Sequence, residues 1–154
     1  MKRNCLSGWT IAALLWAASA SSACADPLAA TVTRWGLLGA WSVDCARRPD
    51  RDKGAVLAYE VGLDGRVMYR RNFGDVKDEN EVVAASTDSD GQLNIMVFFP
   101  SLQQTREFGL RLQRDGSLRA IYNRSQRGDY TIKNGKFVST GEPTPAQHRC
   151  GNST

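Results

Sequence analysis

Arg71 is the side chain of this sequence with the clearest capacity for binding chemistry. It lies in a segment, 66–73, where apolar and polar residues alternate, as they do in a strand with one buried face. Three residues share its predicted face: Val67, Tyr69 and Phe73. A guanidinium on an apolar face is costly unless an acidic side chain or an anionic ligand pairs with it.

Two interpretations of Arg71 follow from this position. In the first, Arg71 and the tyrosine on its own face contact the polar or anionic end of a ligand. The hydroxyls of Tyr59 and Tyr122, which also fall on predicted apolar faces, would then line the same cavity. In the second, Arg71 lies near the rim of the fold, where it is solvated or paired with an acid such as Asp44 or Glu60.

Two cysteines outside the N-terminal segment, Cys45 and Cys150, predict a disulfide bond. An even number of cysteines in an exported chain is typical of disulfide pairing. This bond would join the first strand to the C-terminal tail. No further ligands lie nearby at metal-binding spacing, so neither a metal nor a cofactor is predicted.

Candidate catalytic residues are few. The one histidine, His148, lies two residues before the last cysteine, and no nucleophile or orienting acid is identifiable beside it. The four acids among residues 75–81 lack the spacing of a calcium loop, and they predict a solvated hairpin loop. We therefore expect a protein that is not an enzyme.

The first 25 residues have the pattern of a signal peptide. Two basic residues precede an apolar core at 9–20, which is too short to span a membrane, and Ala-Cys-Ala predicts cleavage after Ala25. Cys24 offers the alternative of a lipid-anchored N-terminus. The prediction is a periplasmic or secreted protein whose mature part forms one domain, 26–154.

The charge of the chain argues against a nucleic-acid partner. It carries 20 basic and 16 acidic residues, a net charge of +4, and removal of the two basic residues of the signal peptide leaves +2. The remaining cations are scattered among acids, whereas nucleic acid favours clustered cations interleaved with aromatic residues. No apolar stretch reaches the length of about 18 residues that a transmembrane span needs.

Short apolar runs separated by turn signals predict an all-β fold. Asx-Gly pairs, which favour tight hairpins, separate the runs at 64–65, 90–91, 115–116 and 134–135. The predicted strands are 40–44, 55–63, 66–73, 81–87, 92–99, 105–113, 117–124 and 130–133 continuing into 136–140. A short helix is predicted at 27–38, and residues 141–152 are predicted to form an extended C-terminal strap. About eight sequential strands indicate a single antiparallel up-and-down β-barrel, because closure removes both sheet edges.

Alternation within three of these strands indicates which side chains face the core. The predicted inward sets are Leu57, Tyr59, Val61 and Leu63; Leu93, Ile95, Val97 and Phe99; and Phe108, Leu110 and Leu112. An eight-stranded barrel with such inner faces is either filled by side chains or holds one small ligand.

Gly39 and Trp41 form a motif that resembles the Gly-x-Trp signature at the first strand of lipocalins. Residues 128–130, Gly-Asp-Tyr, resemble the later Thr-Asp-Tyr motif of that family, and Arg124 is the candidate for the arginine that stacks on the tryptophan. The resemblance implies a lipocalin-like (calycin-type) barrel over 36–150, with Trp41 buried as a plug at one end.

The chain is also similar to small exported bacterial proteins with Gly-x-Trp-x-Val-x-Cys near the start and Thr-Pro before a final cysteine. Here these patterns stand at 39–45 and 144–150. The lipocalin fold hosts carriers, inhibitors and a few enzymes, so the resemblance does not select one function.

Three functions remain open from the sequence. The first is an exported binding module that carries a small apolar or amphiphilic ligand, including an anionic one, in a barrel cavity. The second is an inhibitor of an exported protease that inserts an N-terminal arm, 26–34, as small bacterial metalloprotease inhibitors of similar plan do. The third is an envelope structural or stress protein with a filled core. A cavity of about 300 Å³ or more would favour the ligand, and a projecting arm would favour the inhibitor.

Overall fold

The computed structural model describes residues 28–52 and 54–151. The predicted signal peptide, its cleavage site after Ala25 and Cys24 lie outside these ranges. The described elements are α1 (Leu28–Trp35), β1 (Gly39–Ser42), β2 (Val56–Val61), β3 (Val67–Asn72), β4 (Lys77–Thr87), β5 (Leu93–Phe99), a 3₁₀ turn (Pro100–Leu102), β6 (Gln104–Leu112), β7 (Leu118–Ser125), β8 (Tyr130–Lys133), β9 (Lys136–Phe137) and β10 (His148–Cys150).

All ten strands lie in one antiparallel sheet, in the order β10-β1-β2-β3-β4-β5-β6-β7-β8-β9. The prediction of an all-β antiparallel fold with a short N-terminal helix is therefore confirmed. The sheet has ten strands rather than about eight, and its ladder is not closed over the described residues, where β9 and β10 form the two edges. Two backbone hydrogen bonds between Leu118 and Gln147 place the C-terminal strap against the start of β7.

The turns form where glycine permits a left-handed backbone. The glycines of all four predicted Asx-Gly pairs have positive φ angles: Gly65, Gly91, Gly116 and Gly135. The helix α1 ends at Trp35 rather than at residue 38, because Gly36 adopts a φ of +87° and ends the helix. Pro27, the predicted first residue of the helix, lies outside the described residues.

Alternation places the core on one face of the sheet. The four predicted inward residues of β5 are all buried. The residues that alternate with them, including Phe98, point to the other face and are only partly buried. In β2 the prediction fails at its end: Tyr59 is buried, whereas Val61 is partly exposed and Leu63 is fully exposed. The strand ends at Val61 because the following turn carries Gly62 and Leu63 out to the rim. In the third predicted set the last residue, Leu112, is likewise exposed rather than buried.

Trp41 joins the N-terminal and C-terminal parts of the fold. Its side chain is 1% exposed, and its Nε1 donates a hydrogen bond of 2.8 Å to the carbonyl of Leu37. The guanidinium of Arg149 lies 4.6 Å from the tryptophan ring and donates to the carbonyls of Gly36 and Leu38. The predicted burial of Trp41 is confirmed, but the arginine that stacks on it belongs to β10.

Arg124 does not lie near Trp41. Its guanidinium forms a salt bridge with Glu107, with an Nη2–Oε2 distance of 2.6 Å, on the outer face of β6 and β7. The assignment of the stacking role to Arg124 is therefore wrong. The strap supplies Arg149 instead, because β10 pairs with β1 and sets this residue directly opposite Trp41.

The predicted disulfide between Cys45 and Cys150 is present and spans 105 residues of sequence. It connects the loop after β1 with the last residue of β10. Such a bond indicates an oxidising environment outside the cytosol. No helix within the described ranges is long and apolar enough to cross a membrane.

Candidate ligand-binding cavity

A cavity of about 310 Å³ lies between β2 and β3 on one side and β6 to β9 with the C-terminal strap on the other. Its apolar wall is formed by side chains from five strands: Leu57, Phe108, Leu110, Leu118, Ile132 and Phe137. Its polar groups come from two regions, the tyrosines and arginine of β2 and β3, and a set of neutral side chains on β7, β8 and the strap. This combination is typical of a site that takes a small, largely apolar molecule.

Tyr59 and Tyr69 form the aromatic part of the cavity lining on β2 and β3. They are cross-strand neighbours on β2 and β3, and their rings stack with centroids 4.7 Å apart and planes 12° apart. The ring of Tyr69 also forms T-shaped pairs with Phe99 and Phe108, with ring centroids 6.5 and 6.1 Å apart. Burial raises the pKa of Tyr59 well above its usual value and raises the pKa of Tyr69 to about 12, so both hydroxyls stay protonated.

Arg71 borders the cavity but already has a carboxylate partner. It lies directly opposite Asp78 on β4, and its Nε donates to the two carboxylate oxygens at 2.9 and 3.1 Å, while Nη2 also donates to Oδ2. Both side chains are about three-quarters buried, with 26% and 24% exposed. Neither Asp44 nor Glu60 is the partner, and Glu60 pairs with Arg70 on the outer face instead.

The prediction that residues 75–81 form a solvated hairpin loop is wrong for most of this segment. The strand β4 begins at Lys77, and Asp78 and Asn80 point to the inner face of the sheet. Burial opposes ionisation of Asp78, but hydrogen bonds from Arg71 and Asn80 outweigh it and hold the pKa of the carboxyl below its usual range. Asp78 is thus a fixed negative charge beside the cavity.

Asn80 locks this ion pair into the sheet. Its Nδ2 donates to Asp78 Oδ1 at 2.8 Å and to the carbonyl of Tyr69 at 3.3 Å. The side chain is 1% exposed, and its Oδ1 has no hydrogen-bond partner among the described residues. An amide held in this way orients the carboxylate toward Arg71.

Tyr122 is the one predicted site residue that the structure separates from the others. A β-bulge between Gly109 and Leu110 reverses the alternation of β7, so Tyr122 faces outward. Its hydroxyl interacts with Glu107 Oε1 at 2.7 Å and Asn94 Oδ1 at 2.9 Å. The placement of Tyr122 in the cavity is therefore wrong, and Asn123 lines the cavity in its place.

The ring of Tyr122 packs directly over Gly109, which has no side chain to block it. We expect Gly109→Ala to lower the free energy of unfolding by about 1–3 kcal/mol. A methyl group on Gly109 would lie 2.2 Å from Cε1 of Tyr122, so the ring must move away from Glu107 and Asn94. Urea unfolding measures the change. In a Tyr122→Ala background the same substitution should be much less costly, and an equal loss in both backgrounds would show that the clash is not the cause.

A second arginine lies next to the cavity without bordering it. Arg106 Nε donates to Asn123 Oδ1 at 2.6 Å, and its Nη2 donates to Thr131 Oγ1 at 3.3 Å. Burial lowers the pKa of Arg106, while the Asp129 carboxylate acts in the opposite direction. Sequence reasoning missed this residue because position 106 precedes the alternating set that was assigned to the core.

Comparison with known proteins does not identify a relative. No family model matches the sequence, and neither curated proteins nor solved structures give a significant match.

Proposed function

We propose that the protein is an exported binding module that holds one small apolar or amphiphilic molecule in the cavity. The observation that carries this proposal is the cavity itself, about 310 Å³ with a largely apolar lining and polar side chains in two regions. Ligand pockets range from about 300 to 1,000 Å³, so this one lies at the small end. At about 30 Å³ for each water-sized group, it accommodates about ten non-hydrogen atoms.

The strap supports a barrel-like enclosure of this cavity. β10 pairs with β1, and the residue before it, Gln147, bonds to Leu118 of β7, so the strap bridges the two sides of the sheet. Thr144 adds a hydrogen bond from its Oγ1 to the carbonyl of Ala120 at 2.7 Å. A lipocalin-like barrel closed by the strap is the arrangement we propose.

Export is supported by the disulfide and by the pattern of the N-terminal sequence. The described residues give less support to the inhibitor, because 28–34 lie in α1 and Val32 is fully buried against the core. A filled structural core is disfavoured by the cavity. That the protein is not an enzyme stays a prediction.

Blocking the cavity tests the proposal directly. We expect octanol, whose nine non-hydrogen atoms fit a space for about ten, to bind the folded protein, and Ala120→Phe to abolish binding because Ala120 lines the cavity. Isothermal titration calorimetry measures both affinities. Ala58→Phe makes the same change on the outward face of β2 and should leave binding intact.

Two results would contradict this proposal. One is the absence of octanol binding to the folded parent protein. The other is equal binding by the parent and by a folded Ala120→Phe variant, which would place the probe elsewhere. Native mass spectrometry of protein purified from its own cell envelope would then show whether any small molecule accompanies it.

A further inference from the structure

On the basis of the proposed function, we infer that the cavity selects neutral amphiphiles whose polar group accepts hydrogen bonds, such as amides, esters or alcohols. It discriminates against free carboxylates. The feature that determines this selectivity is Asp78, which already occupies the guanidinium of Arg71.

The charges around Arg71 are already balanced. Among the residues that border the cavity, Arg71 is the only charged one, and Asp78 compensates its charge. A carboxylate that approached Arg71 would lose water and would face the Asp78 carboxylate across the same guanidinium. Like charges in a partly buried site repel strongly, so the ligand would gain no net ion pair.

Asp78 is held firmly beside Arg71. Asn80 donates a hydrogen bond to Asp78 from one side. The Cζ atom of Arg71 lies 4.8 Å from the ring centroid of Phe99 and 5.5 Å from that of Phe73, so the guanidinium is held as well. Displacing Asp78 would leave a carboxylate about three-quarters buried with only one amide donor. Breaking a buried pair in this way is more costly than forming the new one would return.

Arg71 keeps donors for a neutral ligand. A guanidinium has five N–H donors, and Asp78 uses the one on Nε and one of the two on Nη2. The protonated hydroxyls of Tyr59 and Tyr69 lie on the same wall and are hydrogen-bonded to each other, so one of their two protons remains for a ligand. A carbonyl or hydroxyl oxygen of a ligand can accept from these groups without bringing a charge into the site.

Arg106 does not reverse this balance. Its guanidinium donates hydrogen bonds to Asn123 and Thr131, two neutral residues of the cavity lining, and the Asp129 carboxylate acts on it electrostatically. Arg106 itself does not border the cavity.

The test compares two probes of equal length, octanamide and octanoate, by isothermal titration calorimetry at neutral pH. We expect the parent protein to bind octanamide about tenfold or more tightly than octanoate. In Asp78→Asn, octanoate affinity should rise about tenfold or more, because Arg71 is then uncompensated, while octanamide affinity changes little. Glu79→Gln removes the same charge one residue away, on the outer face beside Arg70, and should leave both affinities unchanged.

The possible failures are distinguishable. Tighter binding of octanoate than of octanamide by the parent overturns the selectivity and leaves the binding function standing. Unchanged octanoate affinity in a folded Asp78→Asn variant overturns the role of Asp78. Absence of binding by octanol, octanamide and octanoate alike overturns the proposed function and the inference together. Should Asp78→Asn fail to fold, the comparison of the two probes on the parent decides the question.

Discussion

Trp41→Ala is expected to lower the free energy of unfolding by about 3–5 kcal/mol, the range for removal of a fully buried large aromatic side chain. The substitution removes the ring that fills the end of the core, 1% exposed, and deletes the hydrogen bond to Leu37. It also leaves the Arg149 guanidinium without the ring on which it stacks.

Chemical unfolding monitored by circular dichroism measures this loss. Leu63→Ala, at a fully exposed position in the turn after β2, is the control and should change stability by less than about 0.5 kcal/mol. An unchanged free energy of unfolding for Trp41→Ala would contradict the role of Trp41 as the plug between α1, β1 and β10.

The features that could be predicted from sequence depend on local pattern. The four inward residues of β5 follow from strict alternation, which a strand with one buried face imposes on every second side chain. The turns follow from Asx-Gly pairs such as Asp64–Gly65, whose glycine has a φ of +80°. The disulfide follows from the count of cysteines in an exported chain.

The placement of Tyr122 shows where local pattern stops being sufficient. One extra residue in β7, opposite Gly109 and Leu110, reverses the faces of every residue after it. Alternation alone continues the register through the bulge and therefore assigns Tyr122 to the wrong side. A bulge depends on the partner strand, which a single segment of sequence does not reveal.

The partner of Arg71 was missed for a different reason, and a local signal for it was present. Gly74 and Asp75 form a two-residue hairpin loop, flanked by a hydrogen bond from Phe73 N–H to the Val76 carbonyl at 2.9 Å. A Gly-Asp pair is a hairpin signal like Asx-Gly. Reading it as one places Asp78 directly opposite Arg71.

The stacking of Arg149 on Trp41 depends on contact between the two ends of the chain. The guanidinium bonds to the Leu38 carbonyl across 111 residues of sequence, through the pairing of β10 with β1. No periodicity within the strap specifies that pairing. The disulfide between Cys45 and Cys150 is the sequence feature that brings these ends together.

Removal of that disulfide is the second large effect we expect. In a chain starting at Asp26, the double substitution Cys45→Ser and Cys150→Ser should lower the free energy of unfolding by about 4–5 kcal/mol, the chain-entropy value for a loop of about 100 residues. The physical reason lies mainly in the unfolded state, which gains conformational freedom when the two ends are released. Urea unfolding of the oxidised parent and the double variant measures the difference.

The binding of a ligand should not depend on the disulfide. In the folded molecule the strap is also held by the pairing of β10 with β1, by the Leu118–Gln147 bonds and by Arg149. Octanol affinity, measured where both proteins remain folded, should therefore change by less than about threefold, because the disulfide acts chiefly on the unfolded chain. A count of two free thiols in the unreduced parent would contradict the premise. Equal stability of parent and double variant would contradict the expected gain of conformational freedom in the unfolded chain.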